Sequence, residues 1–238
     1  SASLGNVVYP RDWLAVAPPE LLRLFYNKRL MKTRSFSWKD LPKMYDEYDS
    51  LTNVYLGKEH PPNPKEEAHL KRLFEISALS HRVPEPVGVS FSHAVMLPQI
   101  FFSEKDIIAS LKKSGHYDEK RKREIFARIE AARVWLGKYA PEEAKFTVQD
   151  VVPSELVLSG KEQEALHRVS AFVRKNPQVS EVDLHTAFYT ICKEEVGLEP
   201  REFFTAAYRV LLNRDRGPRL ARLVLTLGER ALSLLEAV

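Results

Sequence analysis

Basic residues interleaved with aromatic rings are the side chains whose types and spacing in this sequence best suit binding chemistry. Residues 28–39 contain five basic side chains and no acid, with Phe36 and Trp38 inside the run. Guanidinium and ammonium groups contact phosphates, while aromatic rings stack on unpaired bases, so the combination suits RNA. The basic residues of this run are Lys28, Arg29, Lys32, Arg34 and Lys39.

Two further basic clusters follow along the chain. Residues 120–138 carry seven basic side chains against two acids, and residues 209–222 carry five arginines against Asp215, around a Gly217-Pro218 turn. A single cluster of this kind is equally consistent with a solvated helix face. Three clusters in a chain whose net charge is only +4 favour a binding function, because the acids must then collect elsewhere.

Motifs for catalysis and metal binding are missing. The sequence contains no glycine-rich phosphate loop of the GxxxxGK[ST] or GxGxxG kind, no HExxH and no GxSxG. The seven histidines have no ligand spacing, and the single cysteine, Cys192, follows Ile191 within a predicted helix. We therefore expect no catalytic residue and no metal site in this chain.

The elements that must position these side chains are predicted to be helices, so the fold class is mainly α. Between residues 119 and 139 the apolar positions step by three and four residues, which is one helical stripe. Ser103, Ser159 and Ser180 each have an acid three residues later, a helix-start signal. Only residues 6–9 and 145–152 suggest strands.

Two extended stretches, at residues 57–64 and 140–160, predict three segments: 1–64, 65–140 and 141–238. The longest stretch without charge, residues 86–103, is too polar to span a bilayer, and no secretion signal is visible. A soluble, cytoplasmic protein is expected. Few Gln, Asn and Cys beside abundant charge is a pattern typical of thermophiles.

The first residues carry a resemblance to a known family. Residues 1–8, SASLGNVV, resemble the second half of the KMSKS-type signature loop of class I aminoacyl-tRNA synthetases. The continuation YPRDWLAVAPPELLR, residues 9–23, is similar to the class I type of lysyl-tRNA synthetase. Stretches within residues 183–220 resemble the terminal helical region of that family, so the resemblance covers both ends of the chain.

The resemblance implies a small βα stem-contact unit followed by an all-helical anticodon-binding domain of the α-helix-cage type. Residues 1–64 would hold the signature-loop remnant and the stem-contact region, and residues 65–140 and 141–238 the two parts of the anticodon-binding domain. The residues expected to contact the stem are Lys28, Arg29, Lys32 and Arg34. The expected anticodon-binding residues are Arg214, Arg216, Arg219, Arg222, Trp135, Phe204 and Tyr208.

In this family the signature loop embraces the phosphates of ATP, and the residues that match it here are Ser1, Ser3 and Gly5. Ala2 stands in place of the second lysine of the motif. The amino-acid pocket and the HIGH-type motif of the family have no counterpart here. The implied chain binds tRNA(Lys) as a monomer, needs an N-terminal catalytic domain as its partner, and does not charge tRNA alone.

Two alternatives remain open from the sequence. One is the corresponding half of a glutamyl-type class I synthetase, whose helical anticodon domain is similar. The other is a helical protein-interaction scaffold whose basic clusters are only solvated. A steep fall of RNA affinity with salt separates the scaffold from the two synthetase types, because only RNA binding releases counterions.

Overall fold

The structure is a computed structural model that describes residues 8–28, 35–80 and 84–238, and 68% of these residues are helical. The prediction of a mainly α protein is confirmed. Across the same three ranges no residue lies in a strand, so the β component of the predicted stem-contact unit is not confirmed.

The α-helices are α1 (Pro10–Leu14), α2 (Pro19–Asn27), α3 (Leu41–Tyr55), α4 (Pro64–Ser77), α5 (Phe91–Ile100), α6 (Glu104–Lys113), α7 (Lys122–Lys138), α8 (Gly160–Lys175), α9 (Glu181–Tyr189), α10 (Pro200–Leu212), α11 (Leu220–Leu227) and α12 (Glu229–Glu236). The chain divides into two compact units. The first comprises Ser1–Pro98 and Gly115–Pro141, and the second comprises Gln99–Ser114 and Glu142–Val238.

Serine caps begin three of these helices where the sequence predicts them. The Ser103 hydroxyl accepts the Asp106 N–H at 3.1 Å, and the Ser180 hydroxyl accepts the Asp183 N–H at 3.0 Å. Ser159 and Glu162 form a complete capping box at α8. Each cap satisfies a backbone donor that the first helical turn leaves without a partner, which fixes where the helix starts.

In the first unit, α2, α3 and α4 pack around one apolar cluster. Leu24, Leu51, Leu73 and Phe74 are its buried members, one from α2, one from α3 and two from α4. Tyr55 stacks on Phe74 with ring centroids 4.6 Å apart. Burial of such side chains stabilises the folded unit by roughly 1.5–3 kcal/mol each, which holds the three helices together.

In the second unit, α8, α10 and α12 pack against one another, and α9 packs against α11. α9 continues into a π-helical stretch, Thr190–Val196, which ends at Gly197 in the left-handed conformation (φ 65°). Cys192 lies buried in this stretch, and burial raises the pKa of its thiol to about 11. The thiol therefore stays protonated and inert at neutral pH.

The predicted strand at residues 145–152 is wrong. This segment is irregular, because no strand lies beside it in the described parts of the chain. Its backbone groups form separate hydrogen bonds with residues of α10 and α12 instead of a ladder with a neighbouring strand. The Gln149 N–H donates to the Leu211 carbonyl at 2.9 Å, and the Arg230 guanidinium donates to the carbonyls of Val148 and Gln149 at 3.0 and 3.2 Å.

Candidate nucleic-acid interface

The turn between α10 and α11 presents the C-terminal arginines, and it is held by one tyrosine. The Tyr208 hydroxyl donates a hydrogen bond to the Pro218 carbonyl at 2.5 Å. A Cβ on Gly217 would lie 2.6 Å from Leu212 Cδ1 and 2.8 Å from the Tyr208 ring, so the packing requires glycine. Burial raises the pKa of Tyr208 to about 12, so the phenol remains a donor at neutral pH.

Two of the four predicted arginine anchors are used within the protein. The Arg214 guanidinium donates to the carbonyls of Lys145 and Glu142. The Arg222 side chain is only 17% exposed, and its Nε donates to a Glu181 carboxylate oxygen at 2.8 Å. These two arginines therefore position the turn and the N-terminus of α9, and little of their charge faces solvent.

The other two predicted anchors face solvent. The Arg219 side chain is 78% exposed and lies 3.8 Å from Glu181, a loose ion pair. Arg216 is exposed and has no hydrogen bond or ion pair with any other residue that the structure describes. Arg216 and Arg219 are thus the members of this cluster that can reach a phosphate without breaking a close ion pair.

The three aromatic candidates differ in exposure. Trp135 is 2% exposed in the core of the first unit, where its indole N–H donates to the Trp38 carbonyl at 2.8 Å. A buried ring offers no face to a base, so Trp135 is a core residue in this conformation. Tyr208 is half-buried, and its hydroxyl already donates a hydrogen bond to the Pro218 carbonyl. Phe204 is half-buried, at the surface of α10.

Phe204 lies beside two rings that are not among the predicted site residues. The His185 and Tyr189 ring centroids lie 6.3 and 5.9 Å from that of Phe204. His185 and Tyr189 are four residues apart on α9, so one helical face presents both. The spacing of four residues could have identified this pair from the sequence. The packing of Phe204 on α10 beside the pair could not be predicted from the sequence alone.

The structure describes little of the predicted stem-contact cluster. Lys28 follows α2, and its ammonium forms an ion pair with Glu47 at 2.7 Å, with both side chains about one-third exposed. Arg29, Lys32 and Arg34 lie outside the described residues, as do Ser1, Ser3 and Gly5 of the signature loop. These six assignments stay predictions.

Over the described ranges, no cluster of three or more His, Cys, Asp or Glu side chains could hold a metal ion. In the same ranges no helix is long and apolar enough to cross a membrane. The candidate site consists of the exposed guanidiniums of Arg216 and Arg219 and the half-buried rings of Phe204 and Tyr208, an arrangement that can bind phosphate and stack on bases.

Comparison with known proteins identifies the class. Residues 1–80 match the family of class I tRNA synthetases (K). This match agrees with the class that the first residues of the sequence indicate.

Within the class, the relatives are of the lysine type. The chain is 32% identical over 237 residues to the lysine--tRNA ligase of Thermococcus kodakarensis, and 31% identical over 234 residues to that of Borreliella burgdorferi. Identity to the lysine--tRNA ligase of Pyrococcus horikoshii is 30% over 237 residues. The first two matches cover 96% of this chain and the third covers 95%. The chain spans only 44% of the length of each relative.

Proposed function

We propose that this chain is the tRNA-binding portion of a class I lysine--tRNA ligase, the enzyme that attaches lysine to tRNA(Lys) with ATP. The observation that carries the proposal is similarity to lysine--tRNA ligases along nearly the whole chain. The exposed Arg216 and Arg219, beside the Gly217-Pro218 turn, support it because they offer solvent-exposed positive charge to an RNA phosphate.

In this proposal the chain contacts tRNA at two places. The basic residues of 28–34 contact the stem, and the C-terminal helices hold the anticodon, whose unpaired bases are open to stacking and to hydrogen bonds on their Watson–Crick edges. Residues 1–64 are the signature-loop and stem-contact region, and residues 65–140 and 141–238 form the anticodon-binding parts. The anticodon domain has the α-helix-cage arrangement.

Catalysis needs the remaining part of the enzyme. The amino-acid pocket and the HIGH-type motif belong to an N-terminal catalytic domain, which is the partner of this chain. Ser1, Ser3 and Gly5 contribute to the ATP loop only when that domain is present. The chain alone is a cytoplasmic monomer that binds tRNA(Lys), and we expect no lysine-dependent ATP–pyrophosphate exchange from it.

The test is filter binding of the 238-residue chain to a tRNA(Lys) transcript over a range of salt concentrations. The logarithm of the binding constant should fall with the logarithm of salt, with a slope of about 0.9 per phosphate contacted in a duplex region. A tRNA(Lys) transcript with a changed middle anticodon base and a tRNA(Glu) transcript are the matched controls.

Weaker binding of both controls is the expected result. Equal affinity for tRNA(Lys) and tRNA(Glu) would contradict the lysine assignment. Binding that does not respond to salt, or no binding at all, would contradict the RNA-binding function and favour a helical protein-interaction scaffold.

A further inference from the structure

Three aromatic side chains form one cluster at the surface of the second unit, and we call His185, Tyr189 and Phe204 the aromatic cluster. The His185 and Tyr189 ring centroids lie 5.3 Å apart with planes at 78°, and both rings contact Phe204. The Tyr189 ring therefore meets both other rings edge to face, a geometry that aromatic side chains prefer, while the His185 and Phe204 planes are tilted by 38°.

One side of the aromatic cluster packs against the core of the second unit, and the other side is exposed to solvent. Phe204 packs edge-on against the fully buried Phe188, with ring centroids 6.0 Å apart. Tyr189 remains 40% exposed, and His185 is also exposed. Apolar ring surface left in contact with water at one place is a feature of binding sites, whereas isolated apolar residues are common on any surface.

The charges around the aromatic cluster favour an anionic ligand. Arg201 lies three residues before Phe204 on α10, is exposed, and has no hydrogen bond or ion pair with any other described residue. Glu181, four residues before His185 on α9, is already paired with Arg222 and Arg219. A ligand that stacks on these rings therefore lies near the exposed guanidinium of Arg201 on α10. The carboxylate of Glu181 on α9 does not oppose an anionic ligand strongly, because it is already paired with arginine.

We propose that the aromatic cluster binds an unpaired nucleobase of single-stranded RNA, whose phosphate lies beside Arg201. The inference rests on the proposed function for the choice of RNA as ligand. Every base has a π-face, so ring stacking tolerates different sequences, and a nearby guanidinium supplies the phosphate contact. His185 and Tyr189 are thereby assigned to RNA binding together with Phe204.

The test uses a fluorescein-labelled uridine dodecamer and an abasic dodecamer with the same ribose-phosphate backbone. Fluorescence anisotropy at low salt measures the affinity of each for the 238-residue chain. The uridine dodecamer should bind more tightly than the abasic one. Tyr189→Ala should weaken its binding by about 5- to 150-fold, the range found for loss of one stacked base, and remove the preference for bases.

His185→Ala is a second variant at an exposed position, and it should reduce the same preference. Tyr189→Phe keeps the ring and should bind like the wild type, while binding of the abasic dodecamer should be the same in all three variants. Equal affinity of the wild-type chain for both dodecamers would overturn the proposal. A Tyr189→Ala chain that keeps the preference for uridine would also overturn it.

These outcomes are distinguishable from failure of the proposed function. A chain whose aromatic cluster recognises the uridine dodecamer, but which binds tRNA(Lys) and tRNA(Glu) equally, retains the nucleobase site and loses the lysine assignment. A chain that discriminates tRNA(Lys) while Tyr189→Ala leaves dodecamer binding unchanged retains the function and loses this site.

Discussion

Arg128 and Asp49 form a bidentate ion pair that joins α7 to α3 within the first unit. The two guanidinium nitrogens donate to the two carboxylate oxygens at 2.5 and 3.0 Å. The side chains are only 13% and 18% exposed, and Arg128 also donates to the Val89 carbonyl at 3.1 Å. The planar fork of arginine satisfies all three contacts at once, which the single ammonium of lysine cannot do.

Arg128→Ala should lower the free energy of unfolding of the first unit by about 2–4 kcal/mol, because it leaves the Asp49 carboxylate half-buried without its partner. All three tryptophans lie in this unit, so tryptophan fluorescence during urea unfolding reports on it directly. Arg11→Ala, at an exposed side chain, is the control and should leave the urea midpoint almost unchanged. An unaltered midpoint in Arg128→Ala would mean that the pair does not stabilise the fold.

Gly217→Ala should destabilise the second unit by about 1–3 kcal/mol, since the added Cβ would overlap Leu212 and the Tyr208 ring. Gly137→Ala is the matched control. Its Cβ would meet nothing within 4 Å, and alanine favours the helix by up to about 1 kcal/mol. Thermal unfolding followed by circular dichroism measures both variants. The two substitutions should have opposite signs, and a stabilised Gly217→Ala protein would contradict the packing seen at the turn.

The pH dependence of stability should include a contribution from Glu236. Hydrogen bonds from Arg174 and Ser170 lower the pKa of this carboxyl to about 2. A lowered folded-state pKa contributes stability above the unfolded pKa of about 4.3, and that stability is lost as the pH falls towards 2. Glu236→Gln should therefore destabilise the protein at pH 6 and have little effect near pH 2.

Urea midpoints of wild type and Glu236→Gln between pH 6 and pH 2 measure this contribution. Glu143→Gln, at an exposed side chain, serves as the control and should show no such trend. A difference between wild type and Glu236→Gln that is constant across the range would show that the charge of Glu236 is not responsible.

The arginines at the turn between α10 and α11 should separate into binding and structural residues. Arg216→Ala should weaken tRNA(Lys) binding and reduce the salt slope by about one, without changing stability, because Arg216 is exposed and has no described partner. Arg222→Ala should lower the thermal midpoint, because Glu181 loses its close partner. Filter binding and thermal unfolding of both variants give the comparison. The reverse pattern would show that charge exposure in the folded protein does not identify the RNA contacts.

Local signals in the sequence predicted most of the fold. Serine caps such as Ser159 act within four residues, and the apolar stripe of α7 repeats within one helix, so both can be read without knowledge of the tertiary structure. The π-helical stretch after Tyr189 and the irregular segment at residues 145–152 could not be predicted in this way. Each depends on packing between distant parts of the second unit.

The candidate site was predicted less completely for the same reason. A count of arginines cannot distinguish Arg216, which is exposed, from Arg214, whose guanidinium is held by backbone carbonyls. Likewise, Trp135 and Phe204 are equivalent as aromatic residues in the sequence, but one is in a core and the other at a surface. Burial and ion pairing are properties of the folded chain.

The irregular segment at residues 145–152 has a consequence for which sequence changes the protein can accept. Arg214 and Arg230 bind its main-chain oxygens, and every amino acid carries such an oxygen. Positions of the segment other than the buried Val148 and Asp150, whose carboxylate pairs with Arg230, are therefore freer to vary than the two arginines that hold it. Natural variation in related proteins should fall on the remaining positions of the segment and spare Val148, Asp150 and the two arginines.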